Sequence, residues 1–138
     1  MTVTLDPDYR PTEDEEFMNP RMREHFRQKL LKWKAELLRE SDQTLEHMQK
    51  QSLAEPDIGD RATLESDRSL ELRTRDRERK LIAKIDAALK RIEDGTYGYC
   101  EETKEPISIR RLEARPIATL SLEAQERHER LERTQRDD

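Results

Sequence analysis

At 138 residues the chain has the length of one ordinary domain, yet only 32% of its residues are apolar and 4% aromatic, too few for a large globular core. Charged residues reach 43%, with 27 basic against 32 acidic side chains, the mixture expected of long solvated helices or coiled coil. A net charge of -5 argues against a dedicated DNA binder, whose affinity rests on a basic surface.

The N-terminus is acidic and lacks an apolar run, and no stretch approaches the roughly 20 apolar residues of a membrane span, so a cytoplasmic protein without membrane contact is expected. Cys100 is the single cysteine, which excludes an internal disulfide and fits a reducing compartment.

Residues 1–18 hold Pro7, Pro11 and an acidic run from Glu13 to Glu16, and read as an extended segment that docks on the globular part. Asn19-Pro20 then supplies an N-cap and a proline in the first helical turn, where its missing N–H costs nothing. Met22, Phe26, Leu30, Trp33, Leu37, Leu45 and Met48 recur at helical spacing, with polar Ser41 interrupting the seam, and predict a first helix to about Leu53. Ala54 to Asp60 contains Pro56 and Gly59, and is short enough to make the flanking helices antiparallel neighbours. Two carboxylates, Asp57 and Asp60, stand at this reversal; the plainer reading makes Asp57 a turn residue and Asp60 the N-cap of the next helix.

The second helix is expected from about Thr63 to Asp94, with Leu70, Leu81, Ile85, Ala88, Leu89 and Ile92 as its stripe. Helices of about 30 residues and so thinly apolar must bury their stripes against each other. Arg73, Arg75, Arg77, Arg79 and Lys80 form a basic stretch midway along it, either a solvated face or a contact for an acidic partner. Gly95-Thr96-Tyr97-Gly98-Tyr99 ends the helix with glycine where a left-handed residue is wanted. A small module follows over 95–120, with Tyr97, Tyr99, Ile107, Ile109, Leu112, Ile117 and Leu120 as its apolar content. Ser121 is the candidate N-cap of a last charged helix within 121–138, with Glu123 in its first turn. The expected fold is mostly α: an antiparallel coiled-coil hairpin over 19–94 with its tip at 54–62, a small globular module and a C-terminal helix.

Four stretches, Asp57-Ile58-Gly59-Asp60-Arg61-Ala62, Leu70 through Leu81, Gly98-Tyr99-Cys100-Glu101 and Ile109 through Pro116, resemble the DksA/TraR family in the same order, a likeness covering about Phe17 to Leu131. The resemblance implies a non-enzymatic bacterial transcription factor that binds RNA polymerase through its secondary channel, destabilises promoter open complexes and acts with the alarmone ppGpp at ribosomal RNA and amino-acid biosynthesis promoters in the stringent response. It implies Asp57, Asp60 and Ala62 as residues near the polymerase active site and the basic stretch as a polymerase contact. It also implies a ppGpp site, composite with polymerase, at Leu81, Lys84, Arg115 and Gln125. Lys84 and Arg115 suit a tetraphosphate, whereas Gln125 stands where the family commonly has a cation.

The family's zinc site is two CxxC pairs; the matching residues here are Cys100, Thr103, Ser121 and Ala124. Thr103 and Ser121 are poor donors and Ala124 is none, so no zinc is expected, with His128 as a solvent-facing histidine and the module held by packing of its apolar side chains. Cys100 is read as a packing residue, its pKa raised by neighbouring Glu101 and Glu102, with a thiol sensor as the alternative. A monomer without sequence-specific DNA contacts is expected. Two other classes compete: a factor like the Gre transcript-cleavage proteins, whose acidic tip holds a metal ion, and a coiled-coil scaffold without a polymerase role.

Overall fold

The computed structural model describes residues 3–53 and 58–137; of 51–53, 58–62, 136 and 137 it describes the backbone. Four helices follow in order: α1 Pro20–Leu53, α2 Ile58–Asp94, α3 Ile109–Ala114 and α4 Leu122–Asp137. The chain divides into two compact units, Met1–Leu30 with Ala87–Asp138, and Leu31–Asp86.

α1 begins as its sequence dictates. Asn19 Oδ1 accepts from the Met22 N–H at 3.0 Å, and Pro20 is the first helical residue. α2 begins at Ile58, five residues before the expected Thr63, so Asp60 lies inside the first turn and is not the cap. A first turn accepts this sequence readily: its N–H groups have no intrahelical partners, and a carboxylate there complements the positive helix end. The expected turn at Ala54–Asp57 falls outside the described residues.

In the unit Leu31–Asp86 the two helices are antiparallel. Lys34 Nζ meets Asp86 Oδ1 at 2.7 Å and His47 Nδ1 meets Glu71 Oε1 at 2.7 Å, so the partner index falls as the first rises. The seam of α1 follows its sequence stripe, with Leu37 buried and Trp33, Ser41, Thr44, Leu45 and Met48 half-buried. The seam of α2 does not. Leu70 is 58% exposed, and the inward column instead runs through Leu64, Glu71, Glu78 and Ile85, each seven residues from the last, beside Arg68, Arg75 and Ile82. The expected stripe fails at Leu70 because Leu81, Ile85, Ala88 and Ile92 set a phase that places Glu71, its neighbour, on the inside.

The other unit holds the main core. Met22, Phe26, Leu30, Ala88, Ile92, Tyr97, Cys100, Ile107, Ile109, Leu112 and Ala124 are buried. Phe26 and Tyr97 stack obliquely with centroids 5.6 Å apart, and the Tyr97 hydroxyl donates to the Pro116 carbonyl at 2.7 Å. α2 ends in a Schellman cap: Gly95 sits at φ +80°, its N–H reaches the Ile92 carbonyl at 3.3 Å, and the Thr96 N–H reaches the Arg91 carbonyl at 2.9 Å. Residues 3–18 lie against this unit. Glu13 Oε1 accepts from the Ile109 N–H at 3.0 Å, and Phe17 meets Tyr99 edge to face at 5.2 Å. α3, which the sequence did not announce, is six residues long and is capped by Ser108, whose side chain accepts from the Arg111 N–H at 3.2 Å.

Candidate functional site

On α2 within the unit Leu31–Asp86, Arg73 and Lys80 stand one heptad apart, as do Arg77 and Lys84. These two columns point away from the seam, so the four cations share one outer face about 16 Å long at 1.5 Å per residue. All four are exposed, and none forms a salt bridge among the described residues. Leu70 continues the same face toward the N-terminus of α2. Of the other residues the sequence singled out here, Arg79 is exposed on a flank, Leu81 is half-buried at the edge of the seam, and Arg75 is half-buried in the seam with its Nε lacking a partner. Asp60 and Ala62 lie within the first five residues of α2, and Asp57 lies outside the described residues.

In the other unit, α3 and the start of α4 border an open pocket of about 360 Å³ lined by Ser108, Arg110, Arg111, Ala114, Arg115 and Leu122. Arg111 is oriented by its Nε, which donates to the Leu120 carbonyl at 2.9 Å. Its lining includes three arginines and no carboxylate. Arg115 was legible in the sequence; Arg110 and Arg111 were missed, because only the short helix α3 brings them to the same wall. Gln125 is half-buried on α4, and its amide donates to Glu129 Oε1 at 3.2 Å.

Cys100 opens a tight knuckle. Its carbonyl accepts from the Lys104 N–H at 2.9 Å, Lys104 stands at φ +63°, and the Cys100 N–H donates to the Glu105 carbonyl at 2.8 Å. Burial raises the thiol pKa, but the Ser121 N–H, the Thr103 hydroxyl, and the Thr103 and Glu102 N–H groups all favour the thiolate and bring it down to about 6. This reverses the expectation of a raised value: three backbone N–H groups and the Thr103 hydroxyl around the sulfur outweigh its burial. Cys100 is nevertheless wholly buried. His128 faces solvent, as expected, and there its Nε2 contacts Glu102 Oε1, while Arg127 Nη2 lies 3.8 Å from the same carboxylate.

Tyr97, Glu113 and the N-terminal segment organise the surroundings. Burial keeps the Tyr97 phenol protonated by pushing its pKa up. Glu113, on α3, takes a hydrogen bond from Lys29 Nζ at 3.0 Å and contacts His25 Nε2, both on α1. Partial burial raises its pKa, but these two partners hold it below the ordinary carboxylate value. Tyr9 lies at 5.8 Å from the His25 ring and donates to Glu15 at 2.8 Å; burial and that carboxylate push its pKa up to about 12.

Residues 22–92 match the family described as DnaK suppressor protein DksA, N-terminal domain, and residues 95–130 match the prokaryotic DksA/TraR C4-type zinc finger. The chain is 67% identical over 131 residues to the RNA polymerase-binding transcription factor DksA of Caulobacter vibrioides, covering 95% of this chain and 92% of that protein. Its Escherichia coli namesake is 50% identical over 115 residues, covering 83% of this chain and 76% of that protein. Among solved structures, transcription factor DksA2 from Pseudomonas aeruginosa superposes with a TM-score of 0.81 at 40% identity, covering 85% of this chain and 90% of that one.

The zinc-finger match corrects the expectation that this module takes no zinc, since membership of a C4-type zinc-finger family implies zinc binding. The residues at the four positions do not make a tetrahedral donor set by themselves: one thiol, two hydroxyls and Ala124. No group of three or more His, Cys, Asp or Glu side chains suited to a metal occurs among the described residues. No helix among them is long and apolar enough to cross a membrane. With both segments matched in order over a hairpin and module of the same fold, the chain belongs to the DksA/TraR family.

Proposed function

We propose that this protein is a regulator of transcription initiation that binds RNA polymerase directly, as the names of its relatives state for them, and does so without catalysis of its own. The observation that carries this reading is the outer face of α2, where Arg73, Arg77, Lys80 and Lys84 stand exposed and unneutralised. Salt bridges on a solvated helix contribute little, whereas four like charges in two heptad columns repel each other until an acidic surface covers them. Arg79 extends the contact on its flank. The hairpin enters the polymerase secondary channel with Asp57, Asp60 and Ala62 leading, and its acidic residues act on open complexes from there.

The tetraphosphate ppGpp acts as co-effector in a site completed by polymerase, using Leu81 and Lys84 of α2 and Arg115, the residue that ends α3. Gln125 carries no charge at the fourth position, and the two further guanidinium groups of the α3 pocket, Arg110 and Arg111, supply cations in its place. The free protein works as a cytoplasmic monomer. Its working parts are a docking segment over 1–18, the hairpin over 19–94, the module over 95–120 and the helical tail over 121–138.

The test is the half-life of open complexes at a ribosomal RNA promoter with purified polymerase, with and without ppGpp. The wild type should shorten the half-life, and Asp60→Asn should abolish that effect while its circular dichroism stays unchanged. A wild type without effect removes the reading. Cleavage of transcripts in backtracked complexes would instead indicate a Gre-like factor.

A further inference from the structure

Midway between the two cross-helix ion pairs, Lys34 with Asp86 and His47 with Glu71, the seam of the arm stops being apolar. On α2 its inward positions are Glu71, Arg75 and Glu78; the stretch of α1 at the same level offers Ser41, Thr44 and a single apolar residue, half-buried Leu45. Glu78 is only 8% exposed, and Glu78 Oε2, Glu71 Oε2 and Arg75 Nε are buried without a hydrogen-bond partner. The Thr44 hydroxyl is spent on its own helix, donating to the Glu40 carbonyl at 3.0 Å.

This is not a shortage of apolar residues. Leu70 and Leu72 flank Glu71 on both sides and face outward at 58% and 49% exposure. Buried polar groups left unpaired oppose pairing, since each lost its water without gaining a partner. By contrast, Leu37 and Ile85 are buried in the same unit at the other end of the arm.

We propose that the distal part of the arm, about residues 41–50 with 64–78, is a soft segment whose helices separate locally in solution while the Leu37–Ile85 end stays paired. Arg75 Nε and Glu78 Oε2, both without a partner, and the second carboxylate oxygen of Glu71, whose first is held by His47, lower the free-energy cost of opening. A region of this kind is expected where an arm must adapt to a confined cavity, a functional consequence that rests on the polymerase reading above. The competing role of buried charge, locking the register of two helices, predicts the opposite stability.

Hydrogen exchange on the full-length free protein decides. Amides of 41–50 and 64–78 should exchange on the order of a hundredfold faster than those of 22–30 and 85–92. The charge-neutral pair Arg75→Leu with Glu78→Leu should slow distal exchange by about tenfold and leave the remainder unchanged. Should that pair disturb the fold, seen as faster exchange at 22–30, Glu78→Gln decides alone by slowing distal exchange. Distal amides as protected as the rest in the wild type, or a stabilising change that fails to slow them in both variants, overturns the proposal in favour of a register lock. With polymerase, the leucine pair should lose promoter activity although the outer cations are intact. A wild type inactive on every promoter removes the polymerase reading and leaves the exchange result standing.

Discussion

Gly98 sits at φ +93°, and a Cβ there would meet Met18 Cε at 2.9 Å and Phe17 Cζ at 3.0 Å, whereas Gly95, at φ +80°, has open space around it. Both positions strain an L-residue, but only Gly98 also holds the N-terminal segment against the module. Gly95→Ala should therefore cost about 1 kcal/mol in urea denaturation, and Gly98→Ala about 2 kcal/mol or more. Equal losses would show that the contact with Met18 and Phe17 carries no weight. Glu113 gives a pH signature. Its folded pKa lies below the ordinary 4.5, so its contribution is complete above that value and is lost as pH falls through the lowered folded value. Glu113→Gln should flatten the acid limb of stability against pH and cost about 1 kcal/mol at neutral pH, the modest size set by the partial exposure of the trio. An unchanged acid limb would assign the tie between α1 and α3 to packing alone.

At the scale of the element, a buried leucine of α1 and an exposed leucine of α2 make opposite predictions. Leu30→Ala removes a wholly buried side chain of α1 and should cost about 2–5 kcal/mol, while Leu70→Ala, at 58% exposure, should stay within about 0.5 kcal/mol. A large loss at Leu70 would mean that the inward column of α2 runs through leucine and not through Glu71. On the outer face, Arg73→Ala with Arg77→Ala should leave thermal stability unchanged and weaken polymerase binding, with a shallower dependence on salt than the wild type. Binding that keeps its affinity and salt slope would move the contact elsewhere. The three long helices were legible, because Asn19-Pro20 starts α1, Gly95 stops α2 and Ser121 Oγ caps α4 by accepting from the Ala124 N–H at 3.2 Å. The phase of α2 was not, because a charged residue at a seam position looks the same in sequence as one facing solvent.

For the whole molecule, the module near Cys100 depends on residues far from it in sequence. Glu13 completes the start of α3 through the Ile109 N–H, and Phe17 covers Tyr99. Removing residues 1–18 should lower the melting temperature by about 5 °C or more; an unchanged value would make the segment an accessory. Sequence by itself determined the mostly helical class, the ends of α1, the C-terminal end of α2 and the family, since these rest on caps, breakers and short ordered motifs that act locally. Only the tertiary structure decided that Glu71, Arg75 and Glu78 face inward, that Arg73, Arg77, Lys80 and Lys84 share one free face, and that the thiol of Cys100 is surrounded by backbone donors. The first two are rotations of a whole helix, and the third brings Ser121 to the sulfur from a distant stretch of chain; such relations are set by packing and not by the identity of neighbours.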